Sequence, residues 1–503
     1  MEKLKTGSKE VEALCGRMQA ALGTDCLVTE DVLFSLIMDE GYRSYIQMCR
    51  HIPSYVKQLL EHPTRHGQLS SLQQVKELTA QWEQQFPYED ARREYDQKYQ
   101  RFFKKEGESC KGVNPQAQGR FMEVYLDSCA TTKVSPEIAR WMRAYYGQED
   151  DANPGSDYAQ GRYAQELITQ ARRDVADVLH TDSSRIVFTS SGSEANNLAI
   201  KGIAFSHLKT GGHFVTTAIE HPSVLETMRY LEALGFSVTY VKPDQEGRVH
   251  PQDLADAIRN DTLLVSVMAA NNEIGTVNPI AEIGDVCREH KVPFLTDAVQ
   301  AFCKMELDPQ KMGISLLSFS GHKIYAPKGA GGLYLAPDTA LIPQIHGGGQ
   351  EGGMRSGTEN TAAIAALGMA AKCAYAKMAQ EQPRIRALRE DFLQKIMQID
   401  SRTVVYGSLK DRIDQNLCLG FYGVSGHALS DSLNKAGICV STGSACSAKK
   451  KASSHVLAAI GADVRHYGMV RMGLGIDTTK EQLDYVAECL KNILPILRKD
   501  NRW

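Results

Sequence analysis

Four short apolar runs punctuate the middle of the chain, and each is followed by a turn and a helical stretch. They are Arg185-Ile186-Val187-Phe188-Thr189, His213-Phe214-Val215-Thr216-Thr217, Leu263-Leu264-Val265-Ser266-Val267-Met268 and Pro293-Phe294-Leu295-Thr296-Asp297. Short apolar runs without polar alternation read as strands buried on both faces. Their alternation with helices calls for an α/β architecture, a mainly parallel sheet covered by helices on both sides. Ligands of such sheets collect at the carboxyl ends of strands, so chemistry is expected just past each run.

Different textures flank this core. From Met1 to about Lys111 the sequence is rich in Gln, Glu, Lys and Arg, with apolar residues at helical spacing such as Val11, Leu14, Met18 and Leu22, and with breaks at Pro53, Pro63 and Pro87. This predicts a helical extension over residues 1–115, with 107–119 (GESCKGVNPQAQG) as linker. A large domain is expected over 120–375, its first residues packing on a smaller C-terminal domain over 376–503. The stretch Ala362–Ile399 is expected to be helical and interrupted at Pro383.

The net charge of −3 over 503 residues gives no reason to expect a nucleic acid or an anionic membrane as partner. No apolar run approaches the roughly 20 residues that cross a bilayer. The start, Met1-Glu2-Lys3-Leu4-Lys5, lacks a signal-like apolar stretch, and Glu2, Glu10 and Glu12 argue against an organellar leader. Twelve cysteines with no CxxC pair fit reduced, mostly buried thiols in a cytoplasmic protein, with neither a disulfide framework nor a metal site.

Five motifs stand past the strands. Ser190-Ser191-Gly192-Ser193-Glu194 opens a helix, and small residues there form an anion site suited to phosphate. Glu220-His221-Pro222 and Asn271-Asn272-Glu273-Ile274-Gly275 follow the next two strands. Asp297 ends the fourth, where a buried carboxylate needs a partner such as a protonated pyridine nitrogen. Then come Ser318-Phe319-Ser320-Gly321-His322-Lys323 and the glycine-rich Lys328-Gly329-Ala330-Gly331-Gly332. A lysine in a partly buried pocket loses its proton readily and can form a Schiff base.

With these motifs, from about Val124 to the C-terminus, the chain resembles cysteine desulfurases of the NifS/IscS type, on the class V aminotransferase fold. The stretches that carry the resemblance are Tyr125-Leu126-Asp127 with Ala130-Thr131-Thr132, 194–202 (EANNLAIKG), 271–275 (NNEIG), 318–325 (SFSGHKIY), 346–350 (HGGGQ), 355–358 (RSGT) and 441–446 (STGSAC). The resemblance implies a fold type I transferase of pyridoxal 5′-phosphate (PLP), with a mixed, mainly parallel sheet and a smaller C-terminal α+β domain. It implies that Lys323 carries PLP covalently and later moves the substrate's Cα proton. His221 matches the catalytic residue that stacks on the cofactor ring and takes part in proton transfer, Asp297 the partner of the pyridine nitrogen, and Gln300 the contact to the phenolic oxygen. Gly192, Ser193, Ser320 and His322 match phosphate ligands, and Thr358 matches a phosphate contact made from the other subunit of a homodimer. Asn272 and Arg471 match the residues that hold the carboxylate of L-cysteine. Cys446 matches the nucleophile that takes the sulfur as a persulfide, leaving L-alanine, before delivery to an acceptor protein.

The chain departs from the family pattern in Ser128-Cys129 (usually Asn-Ala), Gly352-Gly353 (usually a basic residue before Gly) and the basic run Lys449-Lys450-Lys451 after Cys446. Selenocysteine lyase or other class V chemistry is the competing activity, and residues 1–115 read either as a docking module for a partner or as a stabilising appendage. The acceptor is left open between an iron–sulfur scaffold, a tRNA- or DNA-modifying enzyme and another carrier, as is any relay role for Cys15, Cys26, Cys49, Cys110 or Cys129.

Overall fold

The computed structural model describes residues 122–148, 152–442 and 454–499. The expected helical extension, its linker, and the Cys446 loop with its lysines lie outside the described residues.

After β1 (Val124–Tyr125), α1 (Pro136–Gln148) and α2 (Ala159–Val178), the chain lays down one seven-stranded sheet. Its members are β2 (Ile186–Thr189), β3 (His213–Thr217), β4 (Ser237–Val241), β5 (Thr262–Ser266), β6 (Phe294–Asp297), β7 (Leu316–Ser320) and β8 (Gly331–Leu335). The order is β2-β8-β7-β6-β5-β3-β4, parallel throughout except for β8, which runs antiparallel to both neighbours. Helices α3 (Gly192–Phe205), α4 (Pro222–Ala233), α5 (Pro251–Ala257) and α6 (Ile280–Glu289) connect the strands. Alternate strand residues feed two apolar layers. Val215, Val265, Phe294 and Leu317 pack with α2 and α6, while Phe214, Leu264, Leu295 and Leu316 pack with α3 and α4. The continuous apolar runs of the sequence are thus strands buried on both faces.

β8 begins inside the glycine-rich stretch 328–332. Its glycines are there for space: a Cβ on Gly332 would stand 2.3 Å from the Phe319 ring, and one on Gly331 would stand 2.7 Å from the Ser191 backbone. β4 is the half-exposed edge strand, with too little buried surface to print an apolar run.

α7 (Thr361–Ile399) is one continuous helix, and the interruption expected at Pro383 does not occur. Ile364–Ala371 belong to the large-sheet core, whereas Ile385, Phe392 and Ile396 belong to a second core, so packing on both sides of the proline outweighs its roughly 3 kcal/mol helix penalty. That second core surrounds a three-stranded antiparallel sheet, β9 (Val404–Val405), β10 (Asn416–Tyr422) and β12 (Tyr467–Gly473). α8 (Gly426–Lys435), β11 (Ile438–Cys439) and α10 (Lys480–Lys499) complete it, and a short helix, α9 (His455–Ala459), precedes β12. β1 pairs in parallel with β11, and Val124 and Leu126 are buried in this second core. Cys129, Cys287, Cys303, Cys373, Cys418, Cys439 and Cys489 are free thiols. Among the described residues no helix is long and apolar enough to cross a membrane.

Candidate active site

The strand ends converge on a cleft of about 190 Å³. Gly192, Ser193, His221, Asn272, Asp297, Gln300, Ser320, His322, Lys323 and Arg471 all line it. These ten come from segments spread over some 280 residues of sequence, and what unites them is position at a strand end or on the facing C-terminal sheet. Thr358 is exposed and does not line the cleft, and Cys446 lies outside the described residues.

Lys323 follows β7 and is only 9% exposed. Its ammonium donates to the carbonyls of Cys129 (2.6 Å) and Ala130 (2.7 Å). Burial, together with the charges of Lys304 and Arg471, brings its pKa down to about 7. An amine that gives up its proton near neutral pH is what a Schiff-base lysine requires. Gln300 joins the same network: its amide donates to Cys129 O at 2.9 Å, and its Oε1 lies 3.5 Å from Lys304 Nζ.

Asp297 closes β6 with its carboxylate in the cleft. Oδ1 accepts the Val299 N–H at 3.0 Å and Oδ2 accepts Asn196 Nδ2 at 2.8 Å. Asn196 also donates to Ser223 Oγ at 2.9 Å, while its own Oδ1 is buried with no partner among the described residues. His221 caps α4, with Nδ1 accepting the Ser223 N–H at 3.1 Å. That contact leaves the ring's proton on Nε2, and burial lowers its pKa despite the pull of Asp297. His322 is driven further, to about 4, by burial and then by Lys323. Both imidazoles are therefore neutral at pH 7.

The far wall is an anion cradle. α3 starts at Gly192, with Ser191 Oγ accepting the Glu194 N–H at 3.2 Å as its cap. Only glycine fits at the first position, because a Cβ there would stand 2.5 Å from Val299 Cγ2. Glu194 does not face the cleft. It accepts from Ser190 N (2.9 Å) and Arg355 Nε (2.9 Å), and so braces the turn. Asn271 is likewise structural, its Oδ1 accepting the Glu273 and Ile274 amides at 2.8 and 3.0 Å, which leaves Asn272 to the cleft. Opposite, Arg471 on β12 is 1% exposed and donates to Asn272 O at 2.9 Å and Asp127 Oδ1 at 2.8 Å, while its buried Nε has no partner among the described residues.

Sequence reading missed Asn196, which holds Asp297, and gave Asp127 no role beyond its motif. It also passed over Glu220, which is wholly buried directly before His221. Helical spacing from Gly192 offers a signal for Asn196, since it falls one turn into α3. Nothing local marks the other two.

These donors fit PLP. A glycine-gated helix N-terminus suits a phosphate, a carboxylate held by two N–H donors suits a pyridinium, and a buried lysine with a depressed pKa suits the aldehyde. A mixed, mainly parallel sheet with such a lysine after one strand and the site at the strand ends is the fold type I transferase of PLP. The class-V aminotransferase family model matches residues 124–486. The cysteine desulfurase IscS of Dictyoglomus turgidum is 41% identical over 377 residues, 75% of this chain and 95% of that protein. The cysteine desulfurase IscS of Methanosarcina thermophila is 41% identical over 393 residues, 78% and 96% of the two chains. A solved structure described as a NifS-like protein has a TM-score of 0.71 and 34% identity, covering 75% of this chain and 100% of that one. The structure of SspA in complex with cysteine has a TM-score of 0.62 and 37% identity, covering 70% and 98%. The chain belongs to the class-V aminotransferase family and, within it, to the IscS-type cysteine desulfurases.

Proposed function

We propose that this chain is a PLP-dependent cysteine desulfurase that converts L-cysteine to L-alanine and holds the released sulfur as a persulfide on Cys446. The observation that carries the reading is Lys323 itself, a buried lysine brought down to about 7 in one cleft with Asp297, His221 and Arg471. Relatives named as cysteine desulfurases favour this activity over a selenocysteine lyase.

PLP, when bound, supplies an electron sink for negative charge at the substrate's Cα. Lys323 would carry it, Asp297 would face its ring nitrogen, His221 would lie on its ring, Gln300 would reach its phenolic oxygen, and Gly192, Ser193, Ser320 and His322 would hold its phosphate. Arg471 and Asn272, which both line the cleft, hold the substrate carboxylate. Lys323 Nζ then removes the proton at Cα and returns a proton to Cα once the sulfur has left. Cys446 Sγ attacks the substrate sulfur as a thiolate, a new S–S bond forms, the Cβ–S bond breaks, and protonation at Cβ releases L-alanine. Lys449, Lys450 and Lys451 follow in sequence and favour the thiolate.

The enzyme works as a homodimer in the cytoplasm and passes its sulfur to an acceptor protein, for an iron–sulfur cluster or a thio-modification. Thr358, exposed and away from its own cleft, supports a phosphate contact made across the dimer. Residues 120–375 are the cofactor-binding domain and 376–503 the domain that presents Cys446, while residues 1–115 keep an unassigned role. Purified protein with PLP, L-cysteine and a reductant is expected to release L-alanine and sulfide in equal amounts, and Lys323→Ala to release neither. Unchanged turnover in Lys323→Ala would overturn the assignment.

A further inference from the structure

Asp127 sits where the C-terminal sheet meets the segment that leads to Cys446. Backbone bonds fix it from both sides: Leu126 N donates to Cys439 O at 2.9 Å, Gly473 N to Leu126 O at 2.8 Å, and Ser128 N to Gly473 O at 3.1 Å. Its carboxylate is shared between two groups. Oδ1 accepts Arg471 Nη2 at 2.8 Å, and Oδ2 accepts the Ser441 hydroxyl at 2.8 Å. Arg471 and Ser441 are themselves joined through the backbone, with Arg471 N donating to Ser441 O at 2.7 Å and Ser441 N to Arg471 O at 3.2 Å. Ser441 stands five positions ahead of Cys446.

We propose that Asp127 is the positioning residue of the carboxylate receptor: it fixes the Arg471 guanidinium for a substrate's α-carboxylate and ties it to Ser441, at the root of the segment that ends in the nucleophile. The inference rests on the desulfurase reading of the cleft. A guanidinium has five N–H donors in a rigid fork. Asp127 and the Asn272 carbonyl take one from each terminal nitrogen, which stops the fork from turning at the cleft that Arg471 lines. Arg471 is 1% exposed and Asp127 18%, so the fork is dry while its counter-charge sits at the edge of solvent. A buried, oriented cation grips a carboxylate far more selectively than a mobile surface arginine does.

Asp127→Asn isolates the effect. The amide keeps the shape of the side chain and the fold, but it turns the charge-assisted tie to Arg471 into a weaker neutral hydrogen bond, so the guanidinium is held less firmly. Holoenzyme is titrated with L-alanine and with ethylamine, the same skeleton without the carboxylate, and the change in cofactor absorbance is followed. Asp127→Asn is expected to weaken L-alanine about tenfold or more, the scale of one lost charge-assisted contact, and to leave ethylamine unchanged. Equal weakening of both amines would show a merely structural role, and no weakening of either would show none. Each of those results overturns the inference while the desulfurase reading stands. A wild-type protein whose absorbance ignores both amines would remove that reading and the inference with it.

Discussion

Glu220→Gln is expected to abolish a pH dependence of stability. Glu220 is 0% exposed, and both of its hydrogen bonds fall on one oxygen: Thr217 Oγ1 donates to Oε1 at 2.7 Å and Met268 N at 2.8 Å. Oε2 has no partner. A charged carboxylate in that place would leave one oxygen dry and unsolvated, so burial pushes the pKa from 4.5 up to about 8, against the two hydrogen bonds. That shift favours the neutral acid in the folded protein at pH 7. Below 4.5 the side chain is protonated both folded and unfolded, and its contribution is fully present. Between 4.5 and about 8 the folded state keeps a proton that the unfolded chain has lost, so stability falls as pH rises by ~1.4 kcal/mol per pH unit. That interval sets a ceiling of about 5 kcal/mol. Glutamine places its carbonyl under the same two donors and an NH₂ where the acid proton sits, and it stays neutral at every pH. Urea midpoints of the two proteins, compared at about pH 5, 7 and 9, should nearly coincide at the lowest value and diverge upward, the variant being the more stable at the highest. Parallel loss of midpoint in both proteins would refute the burial argument.

Two further changes test the scaffold around the cleft. Gly284→Ala, which in an exposed helix would stabilise by up to ~1 kcal/mol, is expected to cost about 2 kcal/mol or more in denaturant unfolding, because its Cβ would stand 1.8 Å from Met312 O. A gain in midpoint would contradict the close approach of α6 to that turn. Glu351→Ala removes a carboxylate only 2% exposed that takes both Arg172 terminal nitrogens at 2.7 Å and the Phe188 amide at 2.8 Å. It is expected to cost about 3–5 kcal/mol, since it strands a charge beside β2. A loss under ~1 kcal/mol in the same assay would place the pair among surface bridges.

The cleft was legible in the sequence because its residues lie just past buried strands, and buried parallel strands print as apolar runs. Asp297 and His221 are each found by reading to the end of such a run and stopping, whereas Lys323 follows β7, which is not among the four runs, and is found from its own motif. β8 hid behind Gly331-Gly332, since the close packing that demands glycine there erases the apolar signal. β4 hid because an edge strand needs little apolar surface. Pro383 misled because a local rule was overruled by two cores that the helix joins. The Asp127–Arg471 contact spans 344 positions and the Asn196–Asp297 contact 101, so neither follows from spacing. Glu220 shows the general limit: its sequence context gives the letter, and only burial gives the protonation state.

The most direct test of the central claim is mass analysis of the Cys446 peptide after holoenzyme has met L-cysteine with no reductant present. The account predicts that this peptide alone gains one sulfur atom, matched by L-alanine, and that Cys446→Ala binds PLP with unchanged absorbance but gains no sulfur anywhere. Sulfur found on another cysteine in the Cys446→Ala protein, with L-alanine still formed at the wild-type rate, would contradict it.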